Sequence, residues 1–161
     1  MMIFSNPSEY AIRALSELVL MSQDPDHPGR RAGYVMLNNL VEHSTLPREF
    51  LAKIFRQLVE AGLLESAKGP GGGFALARPP QKISLLDIME ATDGGHRIDG
   101  CVVGLSKCND AMPCPQHDLY KPIRQRLNTY LSTTTLADSA DSLKGKKALS
   151  AKDTRISRRR G

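Results

Sequence analysis

Leu63-Leu64-Glu65-Ser66-Ala67-Lys68-Gly69-Pro70-Gly71-Gly72-Gly73-Phe74-Ala75-Leu76-Ala77-Arg78 is the stretch that decides the fold. Two short runs flank a glycine–proline tip, the signature of a β-hairpin. Four of the five residues from Gly69 to Gly73 are glycine, which strips side chains from the tip and permits positive φ. Such a backbone can approach another surface closely. A phosphate-cradling nucleotide loop is the rival reading, but it needs a helix directly after the glycines and usually Lys-Ser/Thr at their end. Here Phe74-Ala75-Leu76-Ala77-Arg78-Pro79-Pro80 follows, which is a strand and then a stop.

Immediately upstream, two helical segments are separated by a tight break. Leu37, Leu40 and Val41 make a short apolar stripe, and Ser44-Thr45-Leu46 interrupts it. Pro47 then stands where a helix starts. Phe50, Leu51, Ile54, Phe55, Leu58 and Val59 recur as one continuous apolar face, and Gly62 is a C-terminal stop. A short helix, a tight turn and a longer amphipathic helix form a helix-turn-helix. That periodicity would also suit any small helical bundle; the hairpin that follows makes it a winged helix. The fold class expected is mainly α with a small β-hairpin wing: a winged helix-turn-helix plus a long C-terminal dimerisation helix.

Other elements fit around this centre. Pro7 to about Ser22 reads as a helix with Ala11, Ile12, Leu15, Leu18 and Val19 on one face. Residues 24–33 are dense in turn formers and include an isolated His27 read as solvated. Ser84 and Asp87 are placed to cap a helix that Asp93-Gly94-Gly95 ends. Leu119, Ile123, Leu127, Tyr130 and Leu131 form a narrow apolar seam, of the kind that pairs with a second copy. Pro122 lies inside that stretch, so either the helix kinks there or its regular part starts just before it. Thr135-Leu136-Ala137-Asp138 reads as the cap of a last short turn.

In a winged helix the second helix enters the major groove and the wing lies over the adjacent minor groove. The exposed face of that helix carries Arg48, Glu49, Lys53 and Arg56. Arg48 and Lys53 can donate to guanine, and Glu49 can accept from cytosine. Lys68 and Gly71 sit at the wing tip, Lys68 as a minor-groove or phosphate probe. The partner expected is double-stranded DNA; each charge taken singly could equally be a solvated helix-face residue.

All three cysteines fall within fourteen positions, Cys101, Cys108 and Cys114, with His117 three residues further on. Gly100, Gly104, Pro113 and Pro115 interleave them, so the loop can fold three thiolates and an imidazole around one centre. That donor set suits zinc or an iron–sulfur cluster and does not suit calcium or magnesium. Three inert, half-buried thiols are the plainer alternative. A zinc-stapled Cys₃His nucleic-acid-binding protein is another, but such fingers stack unpaired bases on aromatic residues, and residues 102–113 contain none.

Length, charge and composition set bounds. The chain has 161 residues, 40% apolar, enough for one compact core. No apolar run reaches the ~18–20 residues that span a bilayer. The N-terminus lacks a basic start and an apolar stretch, so it is not a secretory signal, and an odd cysteine count argues against a disulfide framework. A cytoplasmic protein is expected. The net charge of +5 is carried entirely by residues 138–161, with eight basic and three acidic side chains. That segment is poor in large apolar residues and reads as a disordered basic tail with affinity for polyanions. The division expected is 1–83 for the DNA-binding domain, 84–137 for the cysteine loop and dimerisation helix, and 138–161 for the tail. His43, His96, Asp93 and Asp99 show no nucleophile–base arrangement, so neither an enzyme nor a small-molecule substrate is expected.

The sequence resembles the Rrf-type winged-helix transcriptional regulators, the family of the iron–sulfur regulator IscR and the nitric-oxide sensor NsrR. The resemblance is carried by Glu9-Tyr10-Ala11-Ile12-Arg13-Ala14-Leu15, by Phe50 to Leu58 with Ala61-Gly62-Leu63-Leu64, by Lys68 to Phe74, by the cysteine spacing and by Thr134-Thr135-Leu136. It covers roughly residues 1–138; the loop 24–33 is longer than usual in the family and the basic tail is extra. It implies a homodimeric DNA-binding regulator, most often a repressor, with a 2Fe-2S or 4Fe-4S cluster reporting iron, redox or nitric-oxide status. It also implies Cys101, Cys108 and Cys114 as ligands, His117 as the fourth, and Glu9 from the partner subunit as the alternative fourth.

Overall fold

The computed structural model describes residues 4–24, 33–43, 47–94, 103–104 and 110–159. Its elements are α1 (Asn6–Gln23), α2 (Leu37–His43), α3 (Arg48–Glu60), β1 (Leu64–Ala67), β2 (Gly73–Leu76), a 3-10 turn (Pro80–Lys82), α4 (Leu85–Asp93), α5 (His117–Thr133) and α6 (Leu136–Arg159). The turn expected between α2 and α3 lies outside the described residues.

Helix α1 starts where Ser5 accepts the Ser8 N–H on its hydroxyl at 3.1 Å, satisfying one of the orphan donors of a helix N-terminus. Ala11, Ala14, Leu15, Leu18 and Val19 are buried along it. Helix α3 buries Leu51, Ile54, Phe55 and Leu58. Gly62, at φ +69, ends it, and Leu63 N–H returns to the Leu58 carbonyl at 2.9 Å. The chain thereby turns straight into the hairpin.

The two strands pair antiparallel in the register Leu64↔Leu76, Glu65↔Ala75, Ser66↔Phe74 and Ala67↔Gly73. A third segment joins them. Val35 and Phe74 exchange both backbone hydrogen bonds at 2.9 Å, so the chain entering α2 is stitched to the wing. Helix α4 carries the expected reciprocal cap: Asp87 N–H donates to the Ser84 hydroxyl at 3.0 Å, and Ser84 N–H donates to the Asp87 carboxylate at 2.8 Å. Gly94, at φ +74, closes it.

Helix α5 begins at His117 and runs through Pro122. Its apolar seam divides. Leu131 is fully buried and Leu127 packs against the core, whereas Leu119, Ile123 and Tyr130 are exposed. Only part of the seam is therefore open to another molecule.

The expectation of a disordered tail from residue 138 is corrected, as is that of a last short turn after Thr135. Helix α6 spans Leu136–Arg159. Leu136 and Ala140 enter the core, the small Ala140 letting α6 lie close against α1. Lys147 Nζ reaches Glu17 on α1 at 2.6 Å. The start of α6 is also tied back to the residues before α4: Leu136 N–H donates to the Ile83 carbonyl at 2.8 Å, and Leu85 N–H to the Thr134 carbonyl at 3.0 Å. Composition alone understates such a segment: Leu136, Ala140 and Lys147 tie its first half to the body of the protein.

Asp138 caps α6 by accepting from the Thr135 N–H at 2.8 Å and hydroxyl at 2.7 Å. These two donors, the backbone one first, hold its carboxyl below its ordinary value of 3.8. A lowered folded pKa stabilises above the unfolded value and ceases to do so as pH falls through the folded one. Asp138→Ala should therefore lower the melting temperature at neutral pH, and its gap to wild type should close at the acid end of a pH series. A gap that persists unchanged there would show that the charged cap is not what holds α6.

Candidate functional site

Helix α3 presents two faces. Leu51, Ile54, Phe55 and Leu58 point into the core, and Arg48, Glu49, Lys53 and Arg56 are exposed. Arg48, the first residue of α3, is tethered: its Nε donates to Asn38 Oδ1 on α2 at 3.0 Å. Lysine and arginine side chains lose considerable rotamer freedom when fixed, so this hydrogen bond pre-orders the guanidinium while leaving its terminal nitrogens for a partner. Asn38 was not legible as functional in the sequence, because its role depends on how α2 crosses α3.

The wing tip is shaped by backbone constraints. Gly71 adopts φ +73, a conformation costly for L side chains other than Asn or Asp. A Cβ at Gly73 would come within 2.3 Å of the Val35 carbonyl oxygen, so that glycine is what lets Val35 approach the wing. Lys68 is exposed beside the tip. The structure thus places Arg48, Glu49, Lys53 and Arg56 on one exposed helix face, with Lys68 and Gly71 on the wing that follows.

The cysteine loop is described in part. Cys101 and Cys108 lie outside the described residues. Cys114 is half-buried, with its thiol free of any disulfide among the described residues. His117 opens α5 and is buried, and its backbone N–H donates to the Cys114 carbonyl at 2.9 Å, so thiol and imidazole belong to one turn. His117 Nε2 lies 2.8 Å from Asp110 Oδ1, and Lys121 Nζ lies 2.7 Å from Asp110 Oδ2. Lys121 first, then His117, hold the Asp110 carboxyl below the usual carboxylate value. Glu9 is half-buried in the first turn of α1.

Among the described residues no three ligand-type side chains converge on one point. The chemistry of the donors does fit an iron–sulfur cluster or zinc: a partly sheltered thiol and a buried imidazole, one turn apart, at the end of a loop holding two more thiols. The stem of that loop is anchored at its other end. Asp93, just before Gly94, accepts from the Ser5 hydroxyl and from the Ser8 hydroxyl at 3.0 Å, while Ser8 and Thr92 share a buried hydrogen bond at 2.8 Å. This cluster, also unread in the sequence, fixes the start of the loop to the N-terminus of α1.

Comparison with known proteins agrees with this architecture. The Rrf2 family model, described as an iron-dependent transcriptional regulator, matches residues 4–142. A protein of Aquifex aeolicus named "Putative HTH-type transcriptional regulator" is 32% identical over 139 residues, covering 85% of this chain and 90% of its own. The HTH-type transcriptional regulator IscR of Yersinia pseudotuberculosis is 28% identical over 137 residues, covering 85% of this chain and 78% of its own. Among solved structures, the Bacillus subtilis global cysteine regulator CymR superposes with a TM-score of 0.69 at 23% identity, covering 88% of this chain and 98% of its own. The chain belongs to the Rrf2 family of winged-helix transcriptional regulators, which are DNA-binding proteins and not enzymes.

Proposed function

We propose that this regulator acts as a homodimer, as a repressor, whose DNA binding is controlled by an iron–sulfur cluster held by Cys101, Cys108, Cys114 and His117. The observation that carries the reading is the buried His117 on the same turn as the half-buried Cys114, at the point where the loop of three cysteines enters α5. The iron dependence in the family description and the IscR relative support it. A bound cluster would supply a crosslink sensitive to iron supply, oxidants and nitric oxide. The chain's own residues would turn its presence into geometry. Three thiolates drawn to one centre shorten the connection from α4 to α5, and Asp93 passes the constraint to Ser5 and Ser8 on α1, which packs against α3.

Dimerisation is supported by the exposed apolar residues of α5. Leu119 is 70% exposed and Ile123 61%. Tyr130 borders an open groove of about 310 Å³ lined also by Ile12, Arg13 and Leu143. On α5, Leu119, Ile123 and Tyr130 lie beside the face that buries Leu131. For DNA, Arg48, Glu49, Lys53 and Arg56 are assigned to base edges and phosphates of the major groove, and Lys68 with the Gly71 backbone to the adjacent minor groove.

Three results would follow. Cys101→Ala, Cys108→Ala and Cys114→Ala should each abolish iron and sulfide incorporation during anaerobic expression, while His117→Ala should leave a more labile, spectrally shifted cluster. If Glu9 is the fourth donor, Glu9→Ala will carry that shift instead. A stable, fully formed cluster in Cys108→Ala, or stoichiometric zinc without iron in the wild type, would refute the assignment. Ile123→Asp, which leaves the protomer core alone, should give a folded monomer with weakened DNA binding by light scattering and gel shift. Arg48→Ala should relax preference at particular base pairs, costing roughly 1–3 kcal/mol, whereas Lys68→Ala should weaken all sequences alike and lower the salt slope by about one. Wild-type binding by both would contradict the docking.

A further inference from the structure

Among the exposed charges of α3, Arg48 is held by another helix. Its Nε donates to Asn38 Oδ1 at 3.0 Å, and both residues are exposed. Asn38 itself stands on a fixed base. It is the second residue of α2, between Val35, which exchanges both backbone hydrogen bonds with Phe74 of the wing, and Leu40, which is buried in the core. An Nε–H can only donate, so the acceptor is the carboxamide oxygen and not its nitrogen. A guanidinium carries its N–H donors in one rigid plane. With Nε–H committed to Asn38, the edge made by Nε and one terminal nitrogen can no longer grip two acceptors. The edge made by the two terminal nitrogens still can, and its direction is set because the plane is anchored at Nε. Guanine O6 and N7 are two such acceptors, and the first residues of a recognition helix are those nearest the base edges. The acceptor on α2 is also neutral. A carboxylate in its place would order Arg48 but would offset the charge on which a contact with DNA depends.

Resting on the reading of α3 as the major-groove helix, we infer that Asn38 is a positioning residue for base recognition: from α2 it holds the Arg48 guanidinium so that the two terminal nitrogens meet a guanine end-on. Asn38 thereby sets specificity without touching a base. An untethered arginine gives up rotamer freedom when it engages DNA, and the bond to Asn38 has taken part of that loss before DNA arrives. The ordering favours the one geometry that matches guanine. Its removal is therefore felt at the base pair Arg48 reads and little elsewhere.

The test is a double-mutant cycle read on a panel of duplexes that carries every single base-pair change in a selected operator. Wild type, Asn38→Ala, Arg48→Ala and the double variant, all full-length and prepared identically, are titrated at one salt concentration. Arg48→Ala should lose discrimination at particular base pairs. Asn38→Ala should lower discrimination at those same base pairs roughly 2–12-fold, the factor that corresponds to ordering one rotamer-rich side chain, and leave the others unchanged. The double variant should discriminate as Arg48→Ala does, since Asn38 acts only through that side chain. Asn38→Gln, which carries the same neutral acceptor on a longer stem, should recover most of the preference. In the DNA-free protein, the Arg48 Nε–H should exchange with water more slowly in wild type than in Asn38→Ala. If the bond only staples α2 to α3, Asn38→Ala will melt lower and keep the wild-type base preference; that result overturns the inference. Additive losses in the double variant overturn it too, because Asn38 would then contact DNA by itself. Arg48→Ala with wild-type preference refutes the docking of α3 and takes the inference with it, whereas a relaxed Arg48→Ala beside an unchanged Asn38→Ala overturns the inference alone.

Discussion

The rings of Phe55 and Phe74 meet edge to face, with centroids 5.0 Å apart and planes at 77°, and the DNA-binding half of the molecule is built on that contact. Phe55 is fully buried in α3, and Phe74 is the residue of β2 that pairs with Ser66 on one side and Val35 on the other. Helix α3 and the wing are thus referenced to a single aromatic pair. Val35 brings in the entry to α2, and Arg48–Asn38 closes the arrangement from the other end of α3. Removing a buried phenyl ring typically costs ~3–5 kcal/mol, against a total stability of ~5–15 kcal/mol for a domain. A change there would disturb α3 and the wing at once.

Helix α1 is the second organising element, since it packs against α3, α4 and α6. Its N-terminus takes Asp93 from the stem of the cysteine loop, where a carboxylate is favoured by the unsatisfied N–H groups of the first turn. Along its length Tyr10 stands edge-on to Phe50 of α3 at 5.5 Å. A change of loop geometry at Asp93 therefore has a continuous route, through packed side chains and two serine hydroxyls, to the helix that carries Arg48 and Lys53. Such contiguity is a physical precondition for coupling and does not set its size.

Much of this was legible in the sequence because the signals were local. The glycine tip and the strand after it, the apolar face of α3, the Ser84–Asp87 cap and the end of α4 at Gly94 each rest on neighbouring residues. Val35 was not, since a single bridge residue has no alternation to betray it. Spacing presents the seam of α5 as one surface, but Leu127 and Leu131 serve the protomer's own core, a division that spacing alone cannot make. Composition presents residues from 138 onward as tail because large apolar side chains are few there; the helix is anchored by Leu136, which lies just before that segment, and by the small Ala140. Asn38, Asp93 and Asp110 carry no motif, and each matters through a partner distant in sequence or on another element.

Whether the occupied cysteine loop controls DNA binding is decided by one anaerobic titration. A selected operator duplex is titrated with the cluster-loaded dimer and with the same preparation after chelation, at one fixed salt concentration. The two dissociation constants should differ by about tenfold or more, equivalent to ~1.4 kcal/mol between the two dimer states. Equal constants for the two forms, with the cluster verified present in one and absent in the other, would show that loop occupancy does not govern DNA binding.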